Sequence, residues 1–282
     1  MIVVPHESSV RAHDGTGLFV RDWLVPADQL TRGGVVMMHG LGEHCGRYGR
    51  IAQWFNQNGW SVRAYDHRGH GRSDGRRGDV PEPGSLMRDA EVVIKDFAVA
   101  QSARWDSAPI LFGHSMGGLF AAQLACANLL PLRGLILSSP ALALTISPMQ
   151  SLLLRLMRAI APGVGVSNGL PEGFLSHDTA TVIAYRNDPL IHSKISARLL
   201  TAMLAAVDYS QLRAAEIRCP TLLLVAGDDR LVDARGSTAF FDQLDPAEAT
   251  MHLFPAMYHE IFNEVDREKV YGNLGQWMSR FS

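Results

Sequence analysis

Long apolar runs are missing from this sequence: no uninterrupted stretch reaches the ~20 residues that a bilayer-spanning helix needs. Cysteine is scarce as well. Cys45, Cys126 and Cys219 are widely spaced, odd in number and outside any CxxC pair, which excludes a disulfide framework and fits a reducing compartment. Charge of one sign is lacking too. With 26 Lys and Arg against 28 Asp and Glu, the formal net charge of −2 draws the chain neither to nucleic acid nor to an anionic membrane. The basic cluster in GRSDGRRGD reads as a solvated loop. The N-terminal MIVVPHESSVRAHDG has no charged segment followed by a long apolar core, so no secretory signal is expected and the default location is cytoplasmic.

What is present is a globular composition. At 47% apolar and 19% charged, the chain lies far from the disordered regime, and 282 residues suffice for a sizeable core. Apolar runs at 33–40, 60–66, 109–115, 134–140, 220–227 and 250–255 read as strands. Most are continuous rather than alternating, as in strands buried on both faces. Helical patterns at 47–58, 85–103, 116–128, 236–243 and 264–280 lie between them. This alternation predicts an α/β fold, a mostly parallel central sheet flanked by helices. Two short runs around DGTG near the N-terminus predict a hairpin forming an antiparallel edge.

The alternation stops between about 141 and 215. There Met149, Leu152, Leu153, Leu156, Met157 and Ile160 recur at helical spacing, with Ser151, Arg155 and Arg158 opposite. The expected division is a core of 1–140 and 216–282 with a helical lid inserted at 141–215. Packing on the body below is the favoured use of the apolar stripe over membrane docking. Both fit a lid that lines an acyl pocket.

The stretch PILFGHSMGGLFAAQLA carries the chemistry. A strand that ends on Ser115 and turns at once into a helix forces a sharp bend. Residues two before and two after then approach too closely for side chains, and Gly113 and Gly117 meet that need. The bend lifts the Ser115 hydroxyl clear at a helix N-terminus, where backbone N–H groups favour developing negative charge. G-x-S-x-G between strand and helix is the nucleophile-elbow signature, with chain order Ser, acid, His.

A serine hydroxyl needs a base, and the base an orienting carboxylate. Of eleven histidines, His252 and His259 lie late enough. His252 sits inside a strand run, so His259, in the loop after it, is the candidate base. The acid should follow the strand ending at Gly227, where Asp228, Asp229 and Asp233 stand. Asp233 is expected to cap the next helix. Spacing does not choose between the other two. The oxyanion formed by attack on a carbonyl needs two N–H donors, assigned to Met116, after the nucleophile, and Leu41, after an early strand. His39 reads as a structural hydrogen-bonding residue.

With HGLGEHCGRY, YDHRGHGRSDG, GDDRLVD and YHEIFNE in this order, the chain resembles the monoacylglycerol lipase and lysophospholipase group of α/β-hydrolases from about residue 9 to the end. The resemblance implies that Asp229, immediately before Arg-Leu, is the acid. It also implies that Glu43 and Arg47 hold a polar head group near the entrance, a loop salt bridge being the alternative. One position departs from the pattern. Phe262 stands where eukaryotic members carry a second histidine near the glycerol moiety, and it cannot hydrogen-bond.

Asp66, His67 and His70 look like metal ligands, but in a glycine-rich loop they are better read as loop-stabilising hydrogen-bonding groups. The proposed chemistry requires no metal and no cofactor. The expected partner is a small ester with an acyl chain, with a transient lid contact at a membrane surface and no nucleic acid. A thioesterase, a small-ester esterase, a peptidase of the proline-iminopeptidase type (Glu172 and Asp178 at the lid mouth) and a non-catalytic binding protein are the rivals.

Overall fold

The computed structural model describes residues 3–281; residues 1–2 and 282, the outermost parts of the expected core domain, lie outside them. In chain order the body begins with β1 (His6–Arg11), β2 (Gly17–Trp23), β3 (Gly33–Met38), α1 (Gly49–Gln57), β4 (Trp60–Tyr65), α2 (Ser85–Ala100), β5 (Ile110–His114), α3 (Met116–Ala127) and β6 (Gly134–Ser138). An inserted segment holds α4 (Pro148–Ile160), β7 (Gly165–Ser167), α5 (Thr179–Asn187), β8 (Lys194–Ser196) and α6 (Ala197–Arg213). The body resumes with β9 (Thr221–Ala226), α7 (Ala234–Phe241), β10 (Ala249–Phe254) and α8 (Glu268–Met278).

Eight strands form one sheet in the order β1-β2-β4-β3-β5-β6-β9-β10. The β1–β2 and β2–β4 pairings are antiparallel and the rest parallel, so the hairpin expected around DGTG does form the antiparallel edge. This is the α/β-hydrolase arrangement.

The continuous apolar runs divide by the two-residue period of a strand. Val36, Met38, Leu111, Leu135 and Leu137 pack on one face with α2, α3 and α6. Val35, Met37, Ile110, Phe112 and Ile136 pack on the other with α1 and α8. Fully burying one such side chain contributes about 1.5–3 kcal/mol, so both registers are fixed strongly. The central α3 is buried nearly all round between sheet and α6, hence its small residues Gly117, Gly118, Ala121, Ala122 and Ala125.

Two features of the inserted segment differ from expectation. β7 and β8 pair antiparallel as a separate two-stranded ladder, whose three-residue strands are too short to leave a periodic signal. The α4 stripe is mostly exposed, with only Met157 of its six residues half-buried. Met149, Leu152, Leu153, Leu156 and Ile160 are 74, 64, 55, 54 and 69% exposed. α4 instead forms on local signals: Ser147 and Gln150 make a reciprocal capping box, and Pro148 opens the first turn. α6 returns the chain to the body, burying Leu199, Ala202, Met203 and Ala206 in the core beside α3. Among the described residues, no helix is long and apolar enough to cross a membrane.

Candidate active site

β5 ends at His114, and Ser115 follows at φ 53° and ψ −119°. For a residue with a side chain that conformation costs on the order of 1–3 kcal/mol and persists only when its surroundings impose it. They do so here. Ser115 N–H donates to Ser138 O at 3.1 Å, and Ser115 O accepts from Leu119 and Ala141 N–H, both at 3.0 Å. The flanking glycines are demanded by contact. A Cβ on Gly113 would stand 2.5 Å from Gly117 O, and one on Gly117 would stand 2.2 Å from Met38 O.

The loop after β10 brings in His259, whose Nδ1–H donates to Asp229 Oδ2 at 2.7 Å. Asp229 is an acceptor, so the shared proton sits on Nδ1 and leaves Nε2 able to take one. Asp229 Oδ1 accepts from Leu231 and Val232 N–H, both at 2.9 Å. Burial pushes the Asp229 carboxyl up, but His259 and these two amides more than offset it and hold it below the ordinary value. Asp228 turns away into an ion pair with Arg230 at 2.6 Å, and Asp233 caps α7 through Arg235 N–H at 3.0 Å. Of the two carboxylates that spacing left open, Asp229 is the one in contact with an imidazole. His252 lies on β10, half-buried and apart from this pair.

Ser115, His259, Leu41 and Met116 line one cavity of about 600 Å³. Much of the remaining lining is apolar and comes from the inserted segment, including Leu153, Met157, Leu200 and Met203.

The family model for serine aminopeptidase, S33, matches residues 29–266. The chain belongs to this family of α/β-hydrolases. It is 32% identical over 254 residues to a monoacylglycerol lipase of Mycolicibacterium smegmatis, covering 88% of each chain. It is 30% identical to phospholipase YtpA of Bacillus subtilis, over 84% of this chain and 91% of that one. Among solved structures, the monoacylglycerol lipase of Paleococcus ferrophilus superposes with a TM-score of 0.85 at 33% identity, over 94% of this chain and 99% of that one. The chain is a monoacylglycerol-lipase-like hydrolase by these likenesses.

In this S33 hydrolase the loop after β3 is held on both sides of Leu41. Gly40 N–H donates to Glu43 Oε1 at 2.6 Å, and Gly42 O accepts from His192 N–H at 2.9 Å. Gly42 has φ 79°, and a Cβ there would stand 2.2 Å from His192 O. The Leu41 and Met116 amides donate to no acceptor among the described residues. His39 ties the same loop down: its Nδ1–H donates to Gly40 O at 2.7 Å, and its Nε2 accepts from His67 N–H at 2.9 Å. Asp66 accepts from Cys45 and Arg72 N–H, both at 2.7 Å. Among the described residues, no group of three or more His, Cys, Asp or Glu is placed to hold a metal ion.

Arg47, expected at a head group or else in a loop salt bridge, makes the salt bridge. Its Nη1 donates to Glu43 Oε2 at 2.5 Å and Glu260 Oε1 at 2.7 Å, its Nη2 donates to Glu260 Oε2 at 2.8 Å, and it stacks over Tyr185 at 4.8 Å. The guanidinium is committed to two carboxylates, and Arg47 is absent from the cavity lining, which does include Glu43 and Glu260. The salt-bridge alternative is therefore what Arg47 adopts. Burial raises the Glu43 carboxyl, yet Arg47 and neighbouring donors bring it down to about 2, so it is ionised. Phe262 packs in the core against Phe112 and Tyr271.

Among the lining residues that were not anticipated, three lie near His259 or Arg47. Glu260 signals itself only by following His259, and Tyr185 sits in a segment without a motif. The third, His114, is buried with its ring 4.7 Å from that of His259, and burial followed by His259 lowers its pKa to about 4, so it is neutral.

Proposed function

We propose that the protein is a serine carboxylester hydrolase acting on monoacyl esters, with Ser115 as nucleophile, His259 as base and Asp229 as the orienting acid. The observation that carries this reading is the 2.7 Å His259–Asp229 hydrogen bond opening onto the cavity that Ser115 enters from its strained turn. Ser115 Oγ attacks the ester carbonyl as its proton passes to His259 Nε2. The Leu41 and Met116 amides hold the oxyanion, and losing one such donor costs on the order of 10²–10³ in rate. Collapse breaks the C–O bond as His259 returns the proton to the leaving alcohol. Water then attacks the acyl-enzyme by the same route and releases the acid.

The inserted segment, 141–215 in the proposed division, acts as a lid, its Leu and Met side chains supporting an acyl chain as occupant. The exposed apolar face of α4, with Arg155 and Arg158 beside it, supports a transient contact with a lipid surface during loading. A peptidase reading finds weaker support. Glu172 lines the cavity but is bonded to Arg186 at 3.1 Å, and Asp178 caps α5, so neither is a free anchor for a substrate amine.

The test is a fluorophosphonate probe followed by a hydrolysis panel of monoacylglycerols, lysophosphatidylcholine, short nitrophenyl esters and aminoacyl amides. Labelling confined to Ser115, ester turnover and a loss of about 10⁶ in kcat for Ser115→Ala are expected. Unlabelled Ser115, or full turnover by that variant, overturns the reading.

A further inference from the structure

The leaving alcohol must depart beside His259, because that imidazole returns a proton to its oxygen. The charged groups on that side of the cavity are unequal in sign. Glu260 is the next residue along the chain. Glu43 is joined to it through Arg47 and borders His114, whose ring contacts that of His259. Both carboxylates line the cavity, whereas among the described residues no Lys or Arg does. Elsewhere in the lining, Glu172 and Asp233 each have an arginine of their own, Arg186 at 3.1 Å and Arg235 at 2.6 Å. Glu43 and Glu260 share a single one. That guanidinium is turned to its two partners and to Tyr185, with its side chain 11% exposed, and it is absent from the lining of this cavity.

We infer that the alcohol side of the site carries one surplus negative charge held by Glu43 and Glu260, and that it selects esters of neutral or cationic alcohols against those bearing an anionic group. An anionic phosphate there would meet two buried carboxylates with no cation to pair with, and charge repulsion between partly buried groups falls slowly with distance. A polyol donates hydrogen bonds to carboxylate lone pairs that Arg47, Gly40, Tyr48 and Asn263 leave open. A quaternary amino alcohol gains attraction from the same charge. The inference rests on the ester-hydrolase reading and narrows its substrate class.

The experiment compares three octanoyl esters that differ only in the alcohol: glycerol (neutral), choline (cationic) and glycerol 3-phosphate (anionic). Expected kcat/KM values for the glycerol and choline esters exceed that of the phosphate ester by at least about tenfold. Glu260→Gln, which removes one charge but retains an amide oxygen for Arg47, should narrow that gap at least threefold. Binding of the same esters to Ser115→Ala, followed by calorimetry, should keep the order. A phosphate ester turned over as well as the glycerol ester overturns the inference, and so does a gap that Glu260→Gln leaves unchanged. Labelled Ser115 with good turnover of any ester keeps the hydrolase reading separate from that failure. No label and no turnover of any ester overturns both.

Discussion

Asp229→Asn tests the proposed orienting carboxylate without changing its shape. Oδ1 accepts two backbone N–H bonds, from Leu231 and Val232, so the amide must place its carbonyl oxygen there. Its NH2 then falls where Oδ2 stood, 2.7 Å from His259 Nδ1. A donor now faces the nitrogen that carried the proton, and the imidazole relieves the clash by moving its proton to Nε2. That tautomer cannot accept from Ser115. Asparagine at the equivalent acid of chymotrypsin-type proteases lowers kcat about 10⁴-fold, so a loss of about 5.5 kcal/mol in transition-state stabilisation is expected here. The assay is kcat on a short nitrophenyl ester, with Asp228→Asn alongside. The neighbouring variant loses an exposed ion pair and should stay within about twofold. Asp229→Asn retaining more than a tenth of wild-type kcat would refute the tautomer argument, as would an equal loss in both variants.

Ser115→Gly should remove turnover while raising Tm by about 2 °C, because glycine relieves the cost of φ 53° but loses more backbone entropy on folding; a lower Tm in calorimetry would mean that the turn is unstrained. Acid should destabilise the fold steeply. His39, His67, His70 and His114 are buried and neutral, with pKa values pulled down by burial, to about 4 for His67 and His114. The unfolded chain takes up protons below about pH 6.5 that the folded chain refuses, at His67 and His114 until about 4. Stability is therefore complete above 6.5 and is lost as pH falls through that window, by about 5 kcal/mol per pH unit for four such groups. Urea midpoints at pH 7 and 5 check this, and equal values would show that these rings titrate normally when folded.

The sheet was legible because its strands are buried on both faces: a run such as Gly33–Met38 has no polar interruption to confuse with a helix. The elbow was legible for a related reason, since Gly113 and Gly117 answer contacts that no side chain survives. Other features depend on partners far along the chain. The choice between Asp228 and Asp229 depends on which one a loop some thirty residues later meets, and sequence spacing has no access to that. The part taken by Arg47 depends on Glu260, 213 positions away. The α4 stripe misled because amphipathic spacing reports an apolar face without saying what covers it.

The conformation of Ser115 has a consequence for the newborn chain. The turn leans on the Met38 and His39 carbonyls at the end of one neighbouring strand, on Pro140 beyond another, and on the hydrogen bond that Ser115 N–H donates to Ser138 O. None of these is local, so the pentapeptide cannot prearm itself on the ribosome. If Ser115 is the nucleophile proposed above, its reactivity arrives only when distant strands have docked, and an unfinished or misassembled molecule carries an inert hydroxyl.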